Sequence, residues 1–401
     1  MTQGWFGGAC LVAGTTIGAT VLLLIGAVVG YEFYDVIALY SCAWLVMTYS
    51  GLMLAEVCAK HPSGHSFLSL VGHYWGGIGK WFTAGVFYLL MFFLLCTYYS
   101  VLGQILFGVL IHHSVHLPVA LIVCGWVILI TLGLRLGKPV LESINSVFVI
   151  VMLLSFTFLM MTITPYCNFE NLINIVPLKS MWVDAPSSIL LIINAFGFHI
   201  IVPSVRNLLE DNELKYIFRS IWVGSTIPMA LYFAWYIFSI SLLPITFVNT
   251  VITSVPMDQL STHVTDLIKE YTQSNLVYAL LVSLHFCFVL TSVIGITISI
   301  YDLISDVLNK LSLKVNALLI SILSTVPSFI YILVDLRGVS AFLFYSGVLV
   351  ILLNIMMPAV LLLQERNMRP ELPTYKLTPT VSIVVVLMAG CLLLPLSIYN
   401  L

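Results

Sequence analysis

No charged residue interrupts the chain between Gly4 and Tyr31, and none interrupts it between Trp81 and Leu134. Apolar stretches of that length leave few folds open. A helix needs about 20 mostly apolar residues to cross about 30 Å of hydrocarbon. Within hydrocarbon, only helices and closed barrels satisfy their own backbone groups. The stretches are too long for barrel strands and lack strand alternation, so they read as membrane helices.

Composition points the same way. Of 401 residues, 15 are Lys or Arg and 17 are Asp or Glu, and 61% are hydrophobic. A soluble domain carries about 25% charged residues; here the figure is 8%. Cytosolic enzymes, disulfide scaffolds and disordered tails are excluded on that ground. The net charge of −2 argues against a nucleic-acid partner. The eight Cys form no C-x-x-C pair and read as small buried hydrophobes. No basic segment precedes the first apolar stretch, which reads as a span and not as a cleavable signal.

The apolar windows fall roughly at 4–30, 35–58, 81–110, 118–134, 142–164, 187–208, 218–244, 277–304, 315–334, 339–363 and 379–398. These give an all-α polytopic membrane protein of about 11 transmembrane helices, in one membrane domain over residues 1–401. Helices 1–5 cover about 4–164, helices 6–10 about 187–363, and helix 11 about 379–398. Loops after even-numbered spans hold 12 Lys and Arg, and loops after odd-numbered spans hold 3. Positive charge stays on the cytoplasmic side, so the N-terminus is expected inside and the C-terminus outside. Residues 66–75 are expected to form a short interfacial helix on the inner side, and 257–271 an amphipathic helix on the outer surface.

Two spans break the rules for a span. The first contains Ala13-Gly14-Thr15-Thr16-Ile17-Gly18-Ala19, where two Gly and two Thr weaken the helix near mid-membrane. Gly14 and Gly18 also read as a G-x-x-x-G packing seam. The sixth contains Asn194-Ala195-Phe196-Gly197-Phe198-His199, followed by Pro203-Ser204. Pro203 removes an N–H and displaces the carbonyl of His199. Spans one and six hold matching places in two five-helix halves. Paired interruptions of this kind mark a transporter site at the midplane. Thr291 and Ser292 in span eight place hydroxyls at similar depth, although such groups commonly bond their own backbone.

These segments, with Val202-Pro203-Ser204, Gly295, Tyr301-Asp302 and Leu54-Ala55-Glu56-Val57, resemble the bacterial hydroxy and aromatic amino acid permeases, closest to the tyrosine branch. The resemblance runs along essentially the whole chain in span number and loop order. It implies a leucine-transporter-like 5+5 inverted repeat with broken helices 1 and 6, and proton-driven import of aromatic amino acids across the inner membrane. Tyrosine leads, with tryptophan and phenylalanine as further substrates. The sequence departs from the family pattern at Thr20, Ile25 and Ile200, where relatives carry Gly, Pro and Gly; these substitutions crowd the break regions.

The expected substrate site comprises Ala13, Gly14, Thr15, Thr16, Gly18, Tyr98, Asn194, Phe196, Gly197, Phe198 and Ser292. Backbone N–H groups at Gly14–Gly18 would meet the carboxylate, and unwound carbonyls the ammonium. Phe196 and Phe198 would wall the ring, and Tyr98 would hydrogen-bond it. His199, with an ordinary pKa near 6.5, is the expected proton carrier. Thr291 and Ser292, with carbonyls near Ala13 and Thr16, would instead make a sodium cage. Glu56, Glu142, Asn145 and Asp302 are gate candidates at cytoplasmic span ends. No catalytic group, metal or cofactor is expected beyond the coupling ion, H+ or alternatively Na+. A remote alternative is a magnesium-dependent prenyl transferase built on Asp302 and Asp306, for which a second acidic cluster is missing.

Overall fold

The structure is a computed structural model, which describes residues 5–18, 20–61, 67–112, 114–173, 179, 184–209, 214–242, 257–310, 312, 316–334, 338–368 and 378–399. Every regular element among them is helical. Chain order gives α1 (Trp5–Thr16), α2 (Thr20–Val28), α3 (Phe33–Ala59), α4 (Phe67–His112), α5 (Val119–Leu136), α6 (Lys138–Ile163), α7 (Ala185–Ala195), α8 (Val202–Leu208) and α9 (Leu214–Leu242). There follow α10 (Met257–Thr272), α11 (Asn275–Lys310), α12 (Ala317–Val334), α13 (Val339–Val350), α14 (Met357–Met368) and α15 (Thr380–Tyr399).

Nine helical stretches among the described residues are long and apolar enough to cross a membrane. The eleven windows expected from sequence differ from that number for a physical reason. The first window is divided into α1 and α2, of 12 and 9 residues, and neither is long enough to span alone. The last window holds α15, whose apolar part, Thr380–Pro395, is shorter than the other spans. The protein is thus an all-helical polytopic membrane protein.

The packing suits a bilayer. Leu121, Ile128, Leu129 and Leu132 on α5, and Val147, Ile150, Leu154, Phe158 and Met161 on α6, are exposed. They present the apolar exterior that lipid requires. Polar side chains turn inward: Thr48, Ser50, Glu56, Thr97, Ser225 and Ser324 are buried. Most of their hydroxyls bond a carbonyl one turn back or a neighbouring helix, as in Thr131 to Thr325 at 2.7 Å and Thr48 to Ser225 at 3.0 Å.

Helix α1 packs along α9, α11 lies between α4 and α6, and α13 lies between α4 and α7. Small residues set the first contact: a Cβ on Gly8 would fall 2.6 Å from Ser220 Oγ, and one on Gly224 would fall 2.6 Å from Val12 Cβ. The expected interfacial helix is the first part of α4. It turns into the span at Gly76, whose φ of 67° a side chain would resist. The expected outer amphipathic helix is α10, which packs on α2, α4, α11 and α13. Between α13 and α14 a π-helical turn, Ile351–Met356, inserts into the tenth window. It releases the carbonyl of Asn354, which accepts a hydrogen bond from the Ser50 hydroxyl.

Candidate functional site

The two suspect segments do lose their winding. Helix α1 ends at Thr16, Ile17 and Gly18 are non-helical, and α2 begins at Thr20. The threonines close α1 with their own hydroxyls, Thr15 to the Leu11 carbonyl at 2.7 Å and Thr16 to the Val12 carbonyl at 2.7 Å. Helix α7 ends at Ala195, and Phe196–Phe198 are irregular. A 3-10 turn, His199–Ile201, then leads into α8, with Pro203 in its first turn where the missing N–H costs nothing. Gly14 lies inside α1, so the first break starts later than the expected window.

The breaks line one cavity of about 430 Å³. Its wall draws on α1, α2, α4, α6, α7 and α11. Of the residues expected from sequence, Gly14, Thr15, Thr16, Gly18, Tyr98, Asn145, Asn194, Gly197, Thr291 and Ser292 line it. Gly14 faces open space, because a Cβ there would meet nothing within 4 Å; the same holds for Gly295 opposite on α11. Gly18 instead abuts α11, where a Cβ would lie 2.6 Å from Ser292 Oγ. The G-x-x-x-G pair therefore divides, one glycine making room and the other making contact.

Four expected residues are elsewhere. Ala13 is buried in α1, and its carbonyl accepts from Ile17 N–H at 2.9 Å. Phe196 is fully buried and packs edge-on against Tyr232, with ring centroids 5.2 Å apart. Phe198 inserts against Gly51 of α3 and stacks on His199 at 4.9 Å. The walls are aliphatic in their place: Met91, Leu94, Val149, Ile200, Ile201 and Ile296, with Tyr98 as the aromatic member. Ile200, one of the departures from the family pattern, is part of this wall. His199 is 1% exposed and behind the cavity, and neither ring nitrogen has a partner among the described residues. For the three rings the physical reason is shared: the irregular turn after Ala195 directs them back into the bundle, Phe196 toward α9 and Phe198, with His199 stacked on it, toward α3.

The gate candidates separate too. Glu56, at the end of α3, is fully buried and receives Arg366 of α14 in a fork at 2.8 and 2.9 Å from Nη2. Thr378 adds its hydroxyl at 3.1 Å and its N–H at 3.3 Å. Beside it, Tyr74 donates to Glu365 at 2.6 Å and meets His61 Nε2 at 2.8 Å. Asp302 is exposed on α11. The Glu142 side chain lies outside the described residues. Thr291 and Ser292 both donate to the Phe288 carbonyl, at 3.1 and 3.0 Å.

Sequence reasoning missed Tyr232 of α9. Its hydroxyl is 2.8 Å from the Thr16 carbonyl and 2.8 Å from the Ala195 carbonyl, the last residues of α1 and α7. It also missed Asn354, whose amide nitrogen lies by Gly197, 3.7 Å from where a Cβ would stand. Neither residue belongs to a local motif; both act across elements distant in sequence. Past the end of α2, Lys179 donates to the Ala27 carbonyl at 3.3 Å and sits over the Tyr31 ring at 5.4 Å, and burial pushes its amine below the usual lysine range.

An uncharged central cavity at two helix breaks, inside an apolar-surfaced helix bundle, defines a membrane permease. The comparisons agree: the chain belongs to the tryptophan/tyrosine permease family, which matches residues 1–397. It is 24% identical to tyrosine-specific transport system 2 of Haemophilus influenzae, over 97% of this chain and 95% of that protein. It is 26% identical to tyrosine-specific transport system 1 of the same organism, over 96% and 94%. A tryptophan-specific transport protein of Pseudomonas aeruginosa is 25% identical over 75% and 72%. The family and these relatives are transporters, so the prenyl transferase alternative is set aside.

Proposed function

We propose that the protein imports aromatic amino acids, tyrosine first and tryptophan and phenylalanine with it, across the bacterial inner membrane by proton symport with alternating access. The observation that carries this reading is the cavity itself: about 430 Å³ at two helix breaks, with no Asp, Glu, Lys, Arg or His among the described residues that line it. Such a site favours a zwitterion, whose two charges balance, with a side chain that suits a mostly apolar wall. The names of these three relatives specify tyrosine and tryptophan. The substrate carboxylate meets the start of α2, where backbone N–H groups and the positive end of the helix dipole point into the break. The ring lies among Met91, Leu94, Ile200 and Ile296, with the Tyr98 hydroxyl, which faces that of Thr20, at its polar edge.

The eleven-span, 5+5 reading organises this site, with α1–α2 and α7–α8 as the broken members of each half. With the N-terminus cytoplasmic and the C-terminus periplasmic, Cys10, Asn145 and Ser299 lie on the cytoplasmic side of the breaks. All three line the cavity, and Cys10 is exposed. Helix α10 covers the opposite side, so the described conformation faces inward.

Proton coupling is favoured over sodium because the two carbonyls of the sodium cage already accept hydrogen bonds, Ala13 from the Ile17 N–H and Thr16 from the Tyr232 hydroxyl. His199 is the proposed proton carrier: a buried ring with no partner among the described residues in one conformation is poised to gain one in another. The test is uptake in proteoliposomes of tyrosine, tryptophan, phenylalanine and leucine, under an imposed pH gradient or an imposed sodium gradient. Accumulation of the aromatic substrates with the pH gradient alone is expected. Accumulation only with sodium, or of none of the four, contradicts the proposal.

A further inference from the structure

Several backbone carbonyls at the ends of the two broken helices already have donors. On α1, Leu11 and Val12 accept from the Thr15 and Thr16 hydroxyls, Ala13 from Ile17 N–H, and Thr16 from Tyr232. On α7, the Ile193 carbonyl accepts from Phe196 N–H at 3.1 Å, that of Asn194 from Gly197 N–H at 3.3 Å, and that of Ala195 from Tyr232 at 2.8 Å. At these oxygens an entering ammonium competes with a donor already in place.

The Asn194 side chain offers a different acceptor. Its Nδ2 donates to the Leu190 carbonyl at 3.0 Å and to the Leu343 carbonyl at 3.1 Å. Two carbonyls can be met only by the NH2 end of an amide, so the side chain is fixed with Oδ1 turned away from both. That oxygen is buried without a hydrogen-bond partner among the described residues, and Asn194 lines the cavity. A buried acceptor lacking a donor is costly. Here it stands on the wall of a cavity whose described lining residues include no cationic side chain. Asn145 also lines the cavity with an Oδ1 that has no partner among the described residues, but no hydrogen bond among them fixes which end of its amide faces inward.

We propose that Asn194 Oδ1 receives the α-ammonium group of the transported amino acid, and that this residue makes the site select amine-bearing aromatic acids over their desamino analogues. The proposal rests on the reading that the cavity binds an amino acid. It adds which atom meets the amine. A charge-assisted hydrogen bond from N–H⁺ to the amide oxygen satisfies both partners at once, while Nδ2 continues to tie α7 to α13.

The test is competitive binding to the reconstituted full chain of tyrosine and of 3-(4-hydroxyphenyl)propionate, which keeps the ring and carboxylate and lacks the amine. The unaltered protein is expected to prefer tyrosine. Asn194→Leu is expected to reduce that preference about tenfold or more, with affinity for the desamino acid held within about threefold. Asn194→Asp keeps an acceptor in place and is expected to retain or raise the preference. Preference unchanged in Asn194→Leu, or both ligands weakened equally, overturns the proposal. If the leucine variant does not fold, the aspartate variant decides alone: a lowered preference overturns the assignment, and a retained or raised one supports it. If the unaltered protein binds neither ligand, the aromatic-substrate reading itself fails, and this assignment fails with it.

Discussion

The hydroxyl of Tyr232 lies 2.8 Å from the carbonyl oxygen of Thr16, and it lies the same 2.8 Å from that of Ala195. One proton serves two acceptors, each the last residue of a helix that stops in mid-bundle. A single side chain on α9 thus ties the two breaks together, without belonging to either broken helix or to the cavity lining.

Removing that proton is expected to loosen both ends. Tyr232→Phe keeps the ring against Phe196 and leaves two buried carbonyls unpaired, at a cost of about 1–3 kcal/mol for a lost buried partner. The expected outcome in uptake kinetics is a fall of about tenfold or more in maximal rate with a smaller change in KM, because Tyr232 does not line the cavity. Thermal unfolding monitored alongside should show a modest loss of stability. An unchanged rate contradicts a role for Tyr232 in tying the two breaks together.

The glycines of the first break are expected to respond in opposite ways. Gly14→Ala adds a methyl group that meets nothing within 4 Å, and in a helix the change favours folding by about 1 kcal/mol. Gly14→Leu fills cavity space and is expected to exclude tryptophan before tyrosine in competition assays. Gly18→Ala places a Cβ 2.6 Å from Ser292 Oγ and is expected to destabilise. Adding Ser292→Ala to Gly18→Ala removes the contacting atom and should recover part of that loss, as read by thermal unfolding in detergent.

The Glu56–Arg366 pair ties the ends of α3 and α14 together. Arg366→Leu leaves the fully buried Glu56 carboxylate facing, among the described residues, Thr378 and Lys60, the latter at 3.9 Å. Breaking a buried pair from one side costs about 3–5 kcal/mol, whereas replacing both partners by apolar groups is often neutral. The double variant Glu56→Leu/Arg366→Leu is therefore expected to unfold at a higher temperature than Arg366→Leu alone. The reverse order contradicts the pairing.

Cys10 reports the direction in which the cavity opens. In a variant retaining only this cysteine, a membrane-impermeant maleimide is expected to label from the cytoplasmic side, and tyrosine is expected to slow the labelling. Labelling from the periplasmic side alone contradicts the inward-facing assignment.

His199→Gln tests the proton path. Substrate exchange is expected to survive, while accumulation driven by a pH gradient falls. Full accumulation in that variant removes His199 from the path.

What could be read in the sequence follows the range of each interaction. The spans were legible because hydrocarbon demands about 20 apolar residues in a row, and the breaks because Gly, Thr, Asn and Pro weaken a helix locally. The 257–271 helix was legible from its apolar stripe and is observed as Met257–Thr272. The direction of side chains after a break was not. Phe196 and Phe198 flank Gly197 and invite a ligand-facing reading, yet an irregular turn has no fixed period, and their rings go to Tyr232 and Gly51. Tyr232, Asn354 and the partner of Glu56 were hidden for a related reason. Their contacts join residues far apart in the chain, 216 positions apart for Tyr232 and Thr16, and nothing in a local window signals them.

The central claim is that the two interrupted helices enclose the seat of an aromatic zwitterion. An experimental density map of the protein in a lipid nanodisc with tyrosine bound tests it most directly. The account predicts ligand density between Gly18 and Asn194, with the ring beside Tyr98 and the carboxylate at the start of α2. Continuous helix through residues 16–20 and 195–199, or tyrosine density outside this cavity, would contradict it.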